Sequence, residues 1–137
     1  MEIHTGGCLC GAIRYEVTGE PVRAAHCHCD DCRRATGASF ATNVFFKETD
    51  IKILQGTPKQ FRHAADSGNI MTKEFCSDCG SQIFGIGSGS AGIRHVKAGT
   101  LDDASFVQPQ IEVYTSKKLP FTRLSENTEH FETTRPR

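Results

Sequence analysis

Apolar and β-branched residues occur in short stretches that polar turns separate, and this pattern predicts a series of short strands. Residues 12–17 alternate between apolar and polar positions, as expected for a strand with one partly buried face. Further extended segments are predicted at residues 22–26, 40–46, 51–54, 59–63, 69–75, 81–86, 94–98 and 110–115. Because these segments are short and closely spaced, they favour a mainly β domain of antiparallel strands over an α/β fold.

One or two short helices are expected within this pattern. Asp30 can cap a helix that continues to Thr36, and Gly37 is placed to end it in the left-handed conformation. The tail at residues 126–137 is mostly polar and is predicted to be frayed. A chain of 137 residues suits one hydrophobic core, so we expect a single domain at residues 1–125 followed by this tail.

Charge and hydropathy narrow the class of function. Sixteen lysines and arginines balance sixteen aspartates and glutamates, without the basic patch that is typical of a nucleic-acid-binding protein. No apolar stretch approaches the roughly 20 residues of a membrane helix, and the first residues, MEIHTGG, lack the features of a secretory signal. We therefore expect a cytoplasmic protein with no nucleic-acid partner and no membrane partner.

Seven cysteines fall into three clusters, and their spacing indicates metal binding. The clusters read C-x-C at residues 8–10, C-x-C-x2-C at residues 27–32 and C-x2-C at residues 76–79. In a reducing compartment, an odd number of clustered thiols fits metal ligation better than a disulfide framework. Zinc takes such thiolate sets, and two zinc ions per chain are predicted.

The first predicted zinc site combines the two outer clusters. Its ligands are predicted to be Cys8, Cys10, Cys76 and Cys79. Residues two apart on a flat strand are separated by about 6.7 Å, whereas tetrahedral zinc ligands lie roughly 3.8 Å apart, so the first pair requires a curled backbone. Gly6, Gly7 and Gly11 are expected to allow that curl, and Gly80 follows the second pair. A closed set of four ligands is typical of a structural site; the alternative is that Cys8 is a buried core thiol.

The second predicted zinc site uses the central cluster, Cys27, Cys29 and Cys32. Three protein ligands leave a coordination position for water or substrate, which is the arrangement that zinc enzymes use. Two alternatives stay open: closure of the site by His26, His28 or a remote residue, and a redox thiol cluster without metal. Both histidines are expected to support the ligands from beside the site or to lie at the surface.

An open, thiolate-rich zinc site indicates a class of chemistry. Zinc in such a site is a soft ion that accepts a substrate thiol and favours its thiolate form. The implied reaction makes or breaks a carbon–sulfur bond. Predictions for the other polar residues are less specific. Asp102 and Asp103 are expected to have structural roles, and His95 is expected to lie in the core or to face a cleft. Lys117 and Lys118 are expected to be solvated or to contact a substrate carboxylate.

Five motifs occur in order between residues 5 and 121. They are Gly7-Cys8-x-Cys10-Gly11, Cys27-His28-Cys29-x2-Cys32-Arg33, Phe75-Cys76-x2-Cys79-Gly80, Gly99-x-Leu101-Asp102-Asp103 and Lys117-x2-Pro120. Together they resemble the glutathione-dependent formaldehyde-activating enzyme family, also called centromere protein V-like. The resemblance implies a zinc-stabilised β-tent fold, a structural zinc on the four outer cysteines and a catalytic zinc on the three central ones. It also implies addition of glutathione to formaldehyde, which gives S-hydroxymethylglutathione.

Two functions are consistent with these observations. The first is a zinc-dependent carbon–sulfur lyase that acts on the adduct of a small thiol such as glutathione, with Cys27, Cys29 and Cys32 as the catalytic residues. The second is a zinc-stabilised binding module of the β-tent type, without turnover. A homodimer is a possible assembly for either function.

Overall fold

Eleven strands and one α-helix form residues 2–135, the part of the chain that the computed structural model describes. The strands are β1 (Ile3–Gly7), β2 (Arg14–Thr18), β3 (Arg23–Cys27), β4 (Ala41–Lys47), β5 (Ile51–Gln55), β6 (Lys59–Ala64), β7 (Ile70–Phe75), β8 (Gln82–Gly87), β9 (Ile93–Lys97), β10 (Ile111–Val113) and β11 (Glu129–His130). The α-helix is α1 (Asp30–Thr36), and short 3₁₀ helices lie at Glu48–Asp50, Ala98–Thr100 and Thr115–Lys117. None of these described helices is long and apolar enough to span a membrane.

The strands form two sheets, and the prediction of a mainly β fold is confirmed. The smaller sheet has the order β1-β2-β5, and the larger has the order β11-β10-β3-β4-β9-β8-β7-β6. Neighbouring strands are antiparallel except around β10, which runs parallel to both β3 and β11. The sequence pattern did not predict β1, because its residues, IHTGG, show no apolar alternation.

An apolar core lies between one face of the large sheet and the small sheet. Tyr15 and Val17 of β2 are fully buried there with Val44, Phe46 and Phe84 of the large sheet. The Tyr15 and Phe84 rings meet edge to face with their centroids 5.0 Å apart. Full burial of side chains of this size contributes roughly 1.5–3 kcal/mol each, so this packing decides which face of the large sheet points inward.

The other face of the large sheet points away from this core. Cross-strand register places Lys73, Gly85, His95, Phe45 and Arg23 in one row across β7, β8, β9, β4 and β3. Successive residues of a strand point to opposite faces, and the core residues of these strands alternate with the row. The row therefore lies on a face that the small sheet does not cover.

The polar tail pairs with the large sheet, which differs from the predicted frayed tail. β11 runs beside β10, and the Phe131 amide donates to the Glu112 carbonyl at 2.9 Å. The Glu112 carboxylate is buried and accepts hydrogen bonds from the Thr128 hydroxyl at 2.6 Å and from the Ser125 amide at 2.7 Å. A buried carboxylate needs donors, and this segment supplies them. Residues 136–137 of the predicted tail lie outside the described residues.

Candidate metal centres and the adjoining cavity

The four-cysteine cluster joins the turn after β1 to the turn between β7 and β8. The sulfur atoms of Cys8, Cys10, Cys76 and Cys79 all lie within 4.8 Å of one another. The Cys8 and Cys10 sulfurs are 3.7 Å apart, and the Cys10 and Cys76 sulfurs are 3.8 Å apart. These separations match the roughly 3.8 Å between ligands of a tetrahedral zinc ion. The structure thus brings together the residues that the sequence grouped in the first site.

Two glycines hold the turns that carry this cluster. Gly11 and Gly80 adopt φ values of 82° and 79°, a left-handed conformation that residues with a side chain rarely take. Gly6 and Gly7 were expected to help curl the backbone in the same way, and this prediction is wrong because both lie in β1. A Cβ at Gly6 would come within 2.5 Å of the Thr100 carbonyl oxygen, so this glycine allows close packing of backbones.

The three-cysteine cluster lies where β3 ends and α1 begins. The sulfur atoms of Cys27, Cys29 and Cys32 lie within 4.8 Å of one another. Asp30 is not the helix cap, which corrects the prediction: Cys29 occupies that position, and its sulfur accepts a hydrogen bond from the Cys32 amide at 3.2 Å. The sulfur can cap the helix because it already faces the first turn, toward Cys32. Gly37 ends the helix with φ 71°, as predicted.

The neighbouring histidines point elsewhere. His28 is fully buried, and its Nε2 atom lies 2.8 Å from the Glu112 carboxylate. The Nδ1 atom of His26 lies 2.9 Å from the Thr42 hydroxyl. Among residues 2–135, the group of candidate ligand atoms around the central cysteines includes no histidine. This geometry does not favour closure of the site by His26 or His28.

Neighbouring thiols and lysines act on the acidity of the central cluster. Hydrogen bonds with Cys27 and then Cys29 lower the pKa of Cys32 to about 2, whereas hydrogen bonds with Cys29 and then Cys32 raise the pKa of Cys27. The positive charges of Lys97 and Lys73 also lower the pKa of Cys32. The thiolate is the form of cysteine that binds metals.

Both cysteine clusters fit zinc by the chemistry and the spacing of their donors. Zinc takes thiolate ligands in tetrahedral sets, and four cysteines complete such a set. Three cysteines can hold the ion and leave one position for another ligand. The two clusters can therefore hold metal ions, and their sulfur donors are consistent with zinc.

A cavity of about 530 Å³ opens beside the three-cysteine cluster. All three central cysteines line it. Its other polar lining includes Arg23, Asn43, Lys73, His95, Lys97 and Lys117, and its apolar lining includes Phe45, Met71, Ile93, Val113 and Tyr114. Most of these residues belong to the face of the large sheet that points away from the core, so that face is the floor of the cavity.

The centre of the floor is a buried and polar region. A Cβ added at Gly85 would lie 2.2 Å from the His95 ring, so the ring lies across this glycine. The Lys97 side chain is buried, and its ammonium donates to the Asn43 side-chain oxygen at 2.7 Å. Burial, followed by the charges of Lys97 and Lys73, holds the pKa of His95 well below its ordinary value, so this histidine is neutral.

The sequence did not assign Lys73 and Lys97 to the site. His95 and Lys97 are two residues apart on β9 and therefore share a face of the sheet. This spacing is the feature of the sequence from which their proximity could have been predicted. Which face meets the cavity depends on how the small sheet packs, and the local pattern does not contain that information. Lys117 is exposed and lines the cavity, so solvation and contact with a substrate carboxylate both stay predictions for this residue.

The adjacent aspartates have structural roles, as predicted. Asp102 accepts hydrogen bonds from the Arg14 guanidinium and from the Thr5 hydroxyl, the latter at 2.6 Å. These contacts, with Arg14 first, lower the pKa of Asp102 to about 2. Asp103 accepts a hydrogen bond from the Ser105 amide at 2.9 Å. Asp102 therefore ties the segment after β9 to the small sheet.

Comparisons with known proteins show which sequence family and which fold the chain resembles. The sequence model of the glutathione-dependent formaldehyde-activating enzyme family matches residues 3–117. A Halomonas elongata protein whose name provisionally assigns it to the same enzyme is 29% identical over 84 residues, which cover 58% of this chain and 53% of that protein. The match thus spans about half the length of that relative.

A solved structure shares the fold. The crystal structure of a Rhodobacter sphaeroides protein, a structural genomics target, superposes with a TM-score of 0.58. The two sequences are 23% identical, and the match covers 72% of this chain and 87% of the other. At this identity, the likeness concerns the arrangement of the strands.

Proposed function

Because the chain belongs to the glutathione-dependent formaldehyde-activating enzyme family, we propose that it catalyses the reversible addition of a small thiol to an aldehyde. In the direction of adduct breakdown, the protein is a carbon–sulfur lyase. The thiol proposed from the family is glutathione, and the aldehyde is formaldehyde. Cys27, Cys29 and Cys32 are the proposed catalytic centre.

One observation carries this proposal. The three central cysteines line the large cavity, whereas none of the four outer cysteines does in the described part of the chain. A cluster with three donors beside a cavity can accept a substrate atom, and a cluster with four donors away from the cavity cannot do so without losing a ligand. We therefore propose a structural role for the outer cluster and a catalytic role for the central one.

The proposed resident metal is zinc, one ion at each cluster. At the central cluster, bound zinc would supply a soft Lewis acid that favours the thiolate form of a substrate thiol. The protein contributes three sulfur donors held by the end of β3 and the first turn of α1.

The reaction is balanced without an oxidant or a reductant. The thiol gives up its proton, its sulfur forms a bond with the aldehyde carbon, and the carbonyl double bond becomes a single bond as its electron pair moves to oxygen. The oxygen then takes up a proton to become a hydroxyl group. In the reverse direction, the carbon–sulfur bond breaks and the aldehyde and the thiol are restored.

Tyr114 closes one side of the proposed centre. It packs against the cluster that contains Cys27 and Cys32, and it lines the cavity. Its backbone is left-handed, with φ 56° and ψ 40°, a conformation that costs a residue with a side chain about 1 kcal/mol or more. Its amide donates to the Thr133 carbonyl at 2.9 Å, so the paired tail helps to hold this conformation. We infer that the ring shields the reacting sulfur from bulk water.

Exchange between free and thiol-bound formaldehyde tests the proposal. Nuclear magnetic resonance exchange measurements on glutathione and formaldehyde should show faster adduct formation and breakdown with the zinc-loaded protein than with buffer. Cys29→Ala should abolish the acceleration, because it removes one of three donors. Cys10→Ala, at the outer cluster, is the control for loss of a cysteine away from the cavity. Its exchange rate is measured on the fraction of the protein that stays folded.

The alternative role as a binding module predicts a different result. Wild-type protein that binds two zinc ions but accelerates exchange with no thiol would contradict the proposed lyase function.

A further inference from the structure

The cavity floor carries lysines that lack acidic partners. Lys73 and Lys97 line the cavity, and neither forms an ion pair with a carboxylate of residues 2–135. The carboxylates that line the cavity belong to α1 and to the segment between β6 and β7. They are Asp30, Asp31 and Asp66. The floor is therefore cationic, whereas the acidic lining comes from elements outside the strands of the floor.

Lys97 has an incomplete set of hydrogen-bond acceptors. An ammonium group carries three donors, and in the described chain one of them reaches a side-chain acceptor, the Asn43 oxygen at 2.7 Å. Lys97 is 7% exposed. A buried charge with one neutral acceptor is costly, because its remaining donors have lost water. The geometry leaves those donors available to a negatively charged group in the cavity.

His95 lies between the two lysines and adds a second incomplete group. This residue is 7% exposed, and its Nε2 atom has no hydrogen-bond partner among the described residues. Register places His95 in the same row as Lys73, with Gly85 between them, and Lys97 two residues farther along β9. These three side chains thus form one continuous polar area on the floor.

This polar area adjoins the central cysteines without binding them. Lys73 and Lys97 line the same cavity as the three central cysteines, and neither ammonium lies within hydrogen-bond distance of a described cysteine sulfur. The space between the lysines and the sulfurs belongs to the cavity. A small molecule can therefore place one end at the cysteines and an anionic end at the lysines.

We propose that Lys73, His95 and Lys97 form a carboxylate-binding subsite that selects reactants with a carboxylate group a few bonds from the reacting sulfur or carbonyl carbon. The proposal rests on the proposed thiol–aldehyde chemistry and adds a substrate class to it. Two reactants can supply the carboxylate: the thiol, as a mercapto acid, or the aldehyde, as an oxo acid. In both cases sulfur adds to the carbonyl carbon, and the carboxylate stays unchanged.

Matched pairs of reactants test the subsite. For the thiol, mercaptoacetate and mercaptoethanol differ by a carboxylate in place of a hydroxymethyl group, and calorimetric titration of the zinc-loaded protein measures both affinities. For the aldehyde, glyoxylate and glycolaldehyde differ in the same way, and adduct formation with glutathione is followed as a rate. Wild-type protein should prefer the carboxylate member of at least one pair by about tenfold or more, as expected for hydrogen bonds to a charged group.

Substitution of the lysines tests whether the preference for a carboxylate depends on the cavity floor. Lys73→Met should reduce the ratio between the charged and the neutral member of the pair to about twofold or less, and Lys73→Arg should retain most of that ratio. Lys97→Met is a second variant, on the buried lysine. Lys52→Met is the matched control, because Lys52 is exposed on β5 and is not one of the residues that line the cavity.

The outcomes separate this proposal from the proposed function. Loss of preference for the thiol pair or for the aldehyde pair in Lys73→Met supports the subsite and identifies which reactant carries the carboxylate. Equal use of charged and neutral reactants by wild-type protein overturns the subsite and leaves the thiol–aldehyde reaction in place. Failure of every thiol to bind and of every adduct to form faster overturns the reaction itself.

Discussion

The His95 ring occupies the space that a side chain at Gly85 would need, and this contact shows how single residues shape the cavity floor. A glycine in a strand interior weakens the strand, so its presence in β8 requires a packing reason. Here the reason is the ring on the neighbouring strand, whose atoms lie 2.2 and 2.3 Å from the position of an added Cβ. Sequence alone shows the glycine, but not the cross-strand partner that requires it.

Gly85→Ala should destabilise the protein by about 1–3 kcal/mol, because the new methyl group overlaps the His95 ring. In a His95→Ala background, the same substitution should cost much less, since the overlap is removed. Urea unfolding of the four proteins measures both effects. Gly99→Ala is the control, because an added Cβ there meets no atom within 4 Å. Equal costs in both backgrounds would contradict this explanation.

The ion pair between Arg14 and Asp102 makes a prediction about pH. The folded-state pKa of Asp102 is about 2, below the ordinary 3.8, so its contribution is complete above pH 3.8 and is lost as the pH falls through the folded value. Asp102→Asn should therefore lower the stability by a constant amount between about pH 5 and pH 8. The amount should be less than about 1 kcal/mol because the pair is partly exposed. If the difference in stability between wild type and Asp102→Asn varied with pH across this range, the lowered pKa of Asp102 would be contradicted.

At the scale of elements, short-range patterns predicted most strands but not their partners. β2 to β10 lie close to the extended segments read from the sequence. The parallel pairing of β10 with β3 and β11 was not predicted, because the local pattern of a strand does not identify its partner. The buried Glu112 carboxylate on β10 accepts a hydrogen bond from Thr128, which lies in the polar segment before β11. The cap of α1 was also missed, since a cysteine that faces the cluster displaced the aspartate that propensity favours.

Thr128→Val should test whether the paired tail stabilises β10. The substitution removes the hydroxyl that donates to the buried Glu112 carboxylate at 2.6 Å while keeping a similar volume. We expect a loss of about 1.5–3 kcal/mol in the free energy of unfolding and faster hydrogen exchange at the Phe131 amide. Thr57→Val, at an exposed position, is the matched control. Equal stability of the two variants would contradict a contribution of the paired tail to the stability of the protein.

At the scale of the whole molecule, we propose separate roles for the two cysteine clusters, one in stability and one in catalysis. One joins the end of β1 to the turn after β7, and the other lies at the wall of the cavity. The grouping of the cysteines could be predicted because ligand number and spacing constrain zinc sites strongly. The cavity floor could not, because it depends on the register of strands that lie far apart in the sequence.

This division predicts unequal effects of single cysteine substitutions. Cys76→Ala should leave the chain largely unfolded, because metal binding at a structural site is coupled to folding. Cys29→Ala should stay folded and contain about one zinc ion instead of two. Circular dichroism and elemental analysis measure both properties. Equal unfolding of the two variants would mean that the roles of the clusters are assigned wrongly.

The visible absorption spectrum of the cobalt-substituted protein during titration with glutathione tests the open three-cysteine centre most directly. A thiol that enters the coordination sphere changes the spectrum of a cobalt ion bound by cysteines. The proposed function predicts a saturable change in the wild-type spectrum and its absence in Cys29→Ala, where the outer cluster alone is loaded. A wild-type spectrum that glutathione leaves unchanged would contradict the open centre.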